Sequence, residues 1–127
     1  MSSLNTGLVK IPENNQKYFG DDDTIFDYHD ESGLKTFVAP ALNTEGIILY
    51  SASTFSAGAS DTSVMVGTSA PSTSYDGVLI CGSRGHASGS FNSQSLGAMP
   101  LFVPAGLGLY AYSTSSGRNM SVSYEVL

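Results

Sequence analysis

The 127-residue sequence is poor in the residues that build disulfides and membrane spans. Its single cysteine, Cys81, excludes a disulfide within one chain, and a chain of this length buries roughly two thirds of its unfolded surface without such staples. Apolar runs such as residues 78–81 are far shorter than the roughly 20 apolar residues that cross a bilayer. Residues 1–5 carry neither the basic group nor the apolar stretch of a signal peptide. We therefore expect one domain, made in a reducing compartment and without a membrane partner.

Positive charge is scarce as well, with five Lys and Arg against eleven Asp and Glu and a net charge of −6. Affinity for nucleic acids depends on Lys and Arg that neutralise phosphates, so this composition argues against a nucleic-acid partner. Most of the excess lies in residues 1–45, whereas residues 46–127 contain only Asp61, Asp76, Glu125, Arg84 and Arg118. Such a charge-poor region has few of the charges that keep monomers apart, which favours a permanently assembled protein. A monomer rich in Ser and Thr is the alternative that composition leaves open.

Hydrophobic residues recur with a period of two from residue 36 onward, as they do in half-buried strands. One predicted strand places these residues on a common side: Ile47, Leu49, Ser51, Ser53 and Phe55. The last strand has Met120, Val122, Tyr124 and Val126 inward, with Ser121, Ser123 and Glu125 outward. Residues 78–81 form an apolar run between glycines, which predicts a strand covered on both faces. Short strands separated by turn-forming residues predict an antiparallel β-sandwich, jelly-roll-like, with little or no helix.

The first 35 residues differ from the rest in charge and pattern, so we divide the chain into an acidic N-terminal arm or edge segment (1–35) and a β-sandwich domain (36–127). Residues 24–28 alternate as a short strand would, and turn-forming residues surround them. The side chains that we predict to dock on a partner are Tyr18, Phe19, Asp21, Asp22, Asp23 and Phe26.

Chemistry-bearing motifs are few, and we predict neither a cofactor nor a metal. The acidic residues 21–31 do not match the spacing of an EF-hand. Their carboxylate oxygens are ligands that calcium binds, so calcium binding stays an alternative. A zinc site needs about four ligands, and the chain has two histidines, His29 and His86, beside Cys81. The sequence contains no G-x-S-x-G elbow and no phosphate-binding loop ending in Gly-Lys-Ser/Thr. We therefore expect a protein that is not an enzyme.

Two further groups of residues are candidates for contacts. Residues 82–99 form a long stretch with few apolar anchors, and loops of this length are often functional. Its contact-forming side chains are Arg84, His86, Phe91 and Asn92. We expect them to bind a partner chain or a surface glycan. The alternative is that the loop has no special role. Tyr110 and Tyr112 lie opposite Leu107 and Leu109 along one strand, so they suit either an intersubunit contact or a second sheet of the same chain.

Residues 102–110, with a Val-Pro-Ala-Gly turn, and the closing strand 120–127 resemble the C-terminal part of small β-sandwich proteins of tailed-phage virions. Residues 46–50, followed by a strand rich in Ser, Thr and Ala, are similar to an early strand of the same proteins. The resemblance covers about residues 36–127. It implies a capsid-decorating, head-fibre or tail-appendage protein, a homotrimer in most cases, located in the virion.

The same resemblance implies an N-terminal arm that docks on other virion proteins such as the major capsid protein. We expect a non-enzymatic virion structural protein that acts through subunit assembly. The alternative is a carbohydrate- or receptor-binding module that uses residues 82–99.

Overall fold

The computed structural model describes residues 23–85, 91–95 and 100–127. This part of the chain is almost entirely β-structure, with one turn of 3-10 helix at Pro40–Leu42. No helix in it has the length and apolar character that crossing a membrane requires. The strands are β1 (Ile25–His29), β2 (Gly33–Val38), β3 (Ile47–Ala57), β4 (Asp61–Gly67), β5 (Val78–Arg84), β6 (Phe91–Ser95), β7 (Leu101–Val103), β8 (Gly108–Ser113) and β9 (Asn119–Val126).

Two antiparallel sheets pack face to face, which confirms the predicted β-sandwich. The five-stranded sheet has the order β1-β9-β3-β6. The fifth strand, β7, pairs with the same edge of β3 as β6 does: β7 pairs with the first residues of β3 and β6 with the last. The four-stranded sheet has the order β2-β8-β4-β5. With β6 and β7 counted as one interrupted strand, four strands lie in each layer and the chain crosses between layers as in a jelly roll.

The core lies between the sheets and contains mainly aliphatic side chains. Ile47, Leu49, Val64, Leu109 and Met120 are completely inaccessible to solvent, and each comes from one of the central strands β3, β4, β8 and β9. The predicted inward residues of β9 are confirmed for Met120, Val122 and Tyr124, whereas Val126 at the strand end is 36% exposed. Burial of these side chains supplies most of the favourable free energy of folding.

A β-bulge in β3 corrects the predicted alternation of that strand. The register against β9 shifts between Leu49 and Ser51, so Tyr50 is the additional residue. Before the bulge Ile47 and Leu49 point inward, and after it the buried residues are Ala52, Thr54 and Ser56. Side chains alternate with a strict period of two, so one extra residue transfers all later side chains to the other face. Ser51, Ser53 and Phe55 therefore lie on the outer face.

Three other sequence predictions also differ from the structure. Val78 and Leu79 are 64% and 46% exposed, because β5 is an edge strand of its sheet and not a strand covered on both faces. Residues 82–99 are not one loop, since β5 continues to Arg84 and residues 91–95 form β6. The boundary drawn after residue 35 lies inside β2, and β1 is paired with β9 over its whole length.

The turn between β7 and β8 is shifted by one residue from its predicted position. The N–H of Leu107 donates to the carbonyl of Pro104 at 3.4 Å, so Gly106 is the third residue of the turn and not the fourth. Its φ of +89° is one that L-residues rarely adopt, which explains why a glycine stands there.

Hydroxyl side chains fill the end of the sandwich interior away from the aliphatic core. The Thr62 hydroxyl lies 2.7 Å from Ser83 Oγ, which also accepts a hydrogen bond from Ser56 Oγ at 3.1 Å. Thr54 is 3% exposed, and its Oγ1 has no hydrogen-bond partner among the described residues. A buried hydroxyl without a partner costs free energy, whereas a paired one is close to neutral or favourable.

This difference predicts opposite effects for two chemically identical substitutions. Thr54→Val should raise the free energy of unfolding by about 1 kcal/mol, because it removes an unpaired polar atom at nearly constant volume. Thr62→Val should lower it by about 1–2 kcal/mol, because Ser83 loses a partner. Urea unfolding of both variants measures the two changes, and a loss of stability in Thr54→Val would contradict the assignment.

Candidate functional site

The centre of the outer face of the four-stranded sheet is buried, although Leu34, Val78 and Leu79 on its edge strands are exposed. On the four-stranded sheet Met65 and Tyr110 are paired neighbours on β4 and β8, and both are buried at 0% and 2% exposure. The helical turn Pro40–Leu42 packs on β8, and Pro40 lies beside Gly108 and the Tyr110 hydroxyl. The chain thus covers the centre of this face with its own loops.

The predicted intersubunit tyrosines lie on this covered face. Tyr110 offers almost no surface to a neighbouring subunit, and burial raises the pKa of its phenol. Tyr112 is half-buried. The cover over Tyr110 is a helical turn of the same chain and not the second sheet that the sequence left as its alternative.

The outer face of the five-stranded sheet has a floor of small hydroxyl side chains, which we call the serine floor. Two rows of cross-strand partners form it, one of Ser121, Ser53 and Ser95 and one of Ser123 and Ser51. Ser51 and Ser123 share a hydrogen bond of 2.5 Å, and Ser121 Oγ donates to Asn119 Oδ1 at 2.5 Å. The floor therefore satisfies much of its own hydrogen-bonding capacity.

Exposed aromatic side chains border the serine floor. Phe26 and Tyr28 extend from β1 at 59% and 57% exposure, and we call this pair the aromatic ridge. Their partners on β9 are Ser123 and Ser121, so the ridge stands directly beside the floor. Phe55 lies at one end of the face and Phe102 at the other, at 37% and 55% exposure. Together the ridge and the floor form an aromatic and hydroxyl surface, the serine face.

Two shallow depressions lie in the serine face. One of about 440 Å³ is lined by the ridge together with Ser51, Asn119 and Ser121. The second, of about 320 Å³, is lined by Ser53 and Phe55 with strand β6. Ser123 is 1% exposed at the bottom of the floor although it points outward. The face thus has aromatic projections and hollows side by side.

Charge is scarce on this face. Glu125, on the outward side of β9, accepts a hydrogen bond from the Tyr50 hydroxyl at 2.9 Å. Asp27, at the edge of the larger depression, forms an ion pair of 3.2 Å with Lys35. Although the chain has a net charge of −6, the floor of this face therefore offers little electrostatic repulsion to another copy.

The predicted docking residues of the N-terminal segment fall into two groups. Tyr18, Phe19, Asp21 and Asp22 lie outside the described residues. Asp23 is exposed in the turn before β1, and Phe26 belongs to β1 itself. Phe26 is therefore a strand residue of the sandwich, on the serine face.

Among the predicted loop-binding residues, Arg84 is the one whose side-chain contacts the structure describes. Arg84, at the end of β5, donates from Nε to Asp61 at 2.7 Å and from Nη2 to the Tyr75 hydroxyl at 3.1 Å. The pKa of its guanidinium is raised, chiefly by the hydrogen bond to Asp61. His86 lies outside the described residues, and Phe91 and Asn92 are placed only through the backbone of β6.

The acidic region near β1 shows no arrangement for a metal ion. Residues 23–85, 91–95 and 100–127 contain no cluster of three or more His, Cys, Asp or Glu placed to hold one. His29 is nearly buried, and its Nε2 lies 3.0 Å from the carbonyl oxygen of Gly33. This contact gives His29 a structural role in the turn between β1 and β2.

Cys81 is buried on β5 at 5% exposure, and burial raises the pKa of its thiol to about 11. The thiolate is the reactive form, so the thiol stays protonated and unreactive at neutral pH. We expect native protein to resist alkylation by iodoacetamide at pH 8, and denatured protein to react fully. Val78→Cys, at a position 64% exposed, is the matched control and should react at once. Rapid labelling of Cys81 in the native chain would contradict the burial.

Sequence reasoning missed most of the serine face. The predicted side of Ser51, Ser53 and Phe55 did not include the bulge at Tyr50. The alternation of residues 24–28 places Phe26 and Tyr28 on one face, but Tyr28 is not among the predicted docking residues. The outward position of Ser121 and Ser123 was the available signal, since a strand with serine at alternate positions predicts a polar or contact surface. No family profile matches the chain, and neither a curated protein nor a solved structure is detectably similar to it.

Proposed function

We propose that this chain is a non-enzymatic structural subunit of a phage virion, a decoration or appendage protein that acts through assembly with copies of itself and docking on other virion proteins. The observation that carries the assembly is the serine face. It exposes four large aromatic side chains on a sheet with few charges, namely Phe26, Tyr28, Phe55 and Phe102. Phe26 and Tyr28 stand together on this sheet, and exposed apolar patches mark interaction sites on soluble proteins.

The jelly-roll fold is compatible with this role but does not decide it, because viral capsid proteins and lectins both use this architecture. The virion assignment itself rests on the sequence resemblance of residues 36–127. Genes for capsid or tail proteins beside the gene of this chain are the expected genomic context. A glycan- or receptor-binding module remains the alternative, and its predicted residue Arg84 is engaged by Asp61 and Tyr75.

Light scattering on the full chain tests the assembly directly. We expect a homotrimer, with a mass three times that of the 13.2 kDa chain, at micromolar concentration. The mass should persist at high salt, because salt screens exposed charges and leaves apolar contacts intact or stronger. A monomer at every concentration and salt level would contradict the proposed function.

A further inference from the structure

The serine face has the two halves of one contact, a projection and a hollow, on a single surface. The aromatic ridge of Phe26 and Tyr28 projects at the edge of the sheet. The serine floor, with its depression of about 440 Å³, lies immediately beside the ridge. From this geometry we infer that the serine face binds a second copy of this chain, with the ridge of one copy seated on the serine floor of the next. The inference rests on the proposed function and specifies the contact through which assembly occurs.

The size of the face agrees with a stable contact. β3 spans eleven residues and the face is four strands wide across β1, β9, β3 and β6. The other strands of the face are shorter, and β1, β9, β3, β6 and β7 together contain 32 residues. With about 3.4 Å per residue and about 4.8 Å between strands, they cover about 500 Å² before the relief of the side chains is counted. Two such faces bury about 1,000 Å² in total, which is the lower limit for a specific interface.

Charge favours another copy as the occupant. Two chains of net charge −6 repel each other over most approach directions, and the repulsion is weakest where both surfaces carry few charges. The acidic side chains nearest the ridge are Asp27, Asp30 and Glu31, which line a depression on the β1 side of Tyr28, and Asp27 there is paired with Lys35. The serine floor itself is built from uncharged serines, so the low repulsion that favours another copy lies at the floor and not at the rim.

The hydrogen bonds of the floor favour a protein surface over a sugar. A glycan requires hydroxyl donors and acceptors that are free to bind it, but Ser51 and Ser123 bond each other and Ser121 bonds Asn119. Covering these three bonded serines with aromatic rings therefore costs less than covering hydroxyl groups that bond only water. Large aromatic side chains seated in hollows of small residues are typical of the centres of interfaces.

Three variants of the full chain test the contact by light scattering. The ridge variant Phe26→Ser/Tyr28→Ser removes the projection, and the floor variant Ser121→Arg fills the hollow. We expect each to be monomeric, a threefold fall in mass, with an unchanged circular-dichroism spectrum. The matched control Leu42→Ser removes an exposed leucine (68% exposed) from the helical turn on the other side of the sandwich, and it should keep the wild-type mass.

Mixing the two defective variants provides the decisive measurement. The ridge variant retains an intact floor and the floor variant retains an intact ridge, so the mixture should form a one-to-one complex that neither variant forms alone. Wild-type mass in both variants, or no complex in the mixture, would overturn this contact. The proposed function would still stand in either case, provided that the wild type is oligomeric. A ridge variant that keeps the wild-type mass but loses a sugar bound by the wild type on a glycan array would assign the face to a carbohydrate and overturn the inference. A monomeric wild type would overturn both proposals.

Discussion

Leu49→Ala is expected to lower the free energy of unfolding by about 2–5 kcal/mol, the usual range for a large-to-small change in a packed core. Leu49 is completely buried in the core cluster on β3, directly before the bulge, and its cross-strand partners are Tyr124 and Leu101. The substitution removes buried apolar atoms and leaves a cavity that neighbouring strands fill only in part. Because domains of this size have about 5–15 kcal/mol of stability, the loss is a large share of the total.

Urea unfolding followed by circular dichroism measures this loss as a shift of the midpoint. Leu42→Ala is the matched control, since Leu42 is 68% exposed and surface substitutions of this kind change stability by about 0.5 kcal/mol or less. Equal midpoints for the two variants would show that Leu49 is not in the core and that the register of β3 is wrong.

Asn43→Ala is the second substitution with a large expected effect, about 2–4 kcal/mol, because it breaks the three hydrogen bonds of a buried side chain at once. Asn43 is 1% exposed; its Nδ2 donates to the carbonyls of Pro104 at 2.8 Å and Leu107 at 2.9 Å. Its Oδ1 accepts from the N–H of Gly46 at 2.8 Å. The side chain therefore joins the loop before β3 to the turn before β8, and alanine leaves these backbone groups without a side-chain partner.

Asn43→Asp is a sharper version of the same test. The carboxylate keeps an acceptor for Gly46 but places a second oxygen against the carbonyls of Pro104 and Leu107, so stability should fall at least as far as in Asn43→Ala at neutral pH. Asp76→Ala provides the control: Asp76 accepts two hydrogen bonds from Ser72 at 3.0 and 2.8 Å, but in an exposed loop. A loss in Asn43→Ala no larger than in Asp76→Ala would contradict the joining role.

The local pattern of the sequence predicts much of the fold, because the pleat of a strand imposes its period directly on the chain. Met120, Val122 and Tyr124 show this for β9, whose inward side was read from alternation alone and is buried. The same reasoning failed in β3, since an extra residue at Tyr50 has no signature in a hydrophobic pattern. It failed in β5 because the apolar run at residues 78–81 does not reveal whether a strand lies at the centre or the edge of a sheet.

The candidate site was less predictable than the fold. Tyr110 and Tyr112 alternate with inward residues, but whether such side chains are exposed depends on a distant segment, here Pro40 beside Gly108. The serine face requires four regions that are far apart in the chain, β1, β3, β6 with β7, and β9, to lie side by side in one sheet.

What the sequence by itself determined is the strand-forming alternation and the all-β sandwich built from it, together with the scarcity of charge after residue 45. Each of these is local or additive, so each can be read without knowing which strands meet. Only the tertiary structure decided the bulge in β3, the edge position of β5 and the exposure of Phe26 and Tyr28 beside a serine floor. These features depend on pairing between residues distant in sequence, where register and packing override the local pattern.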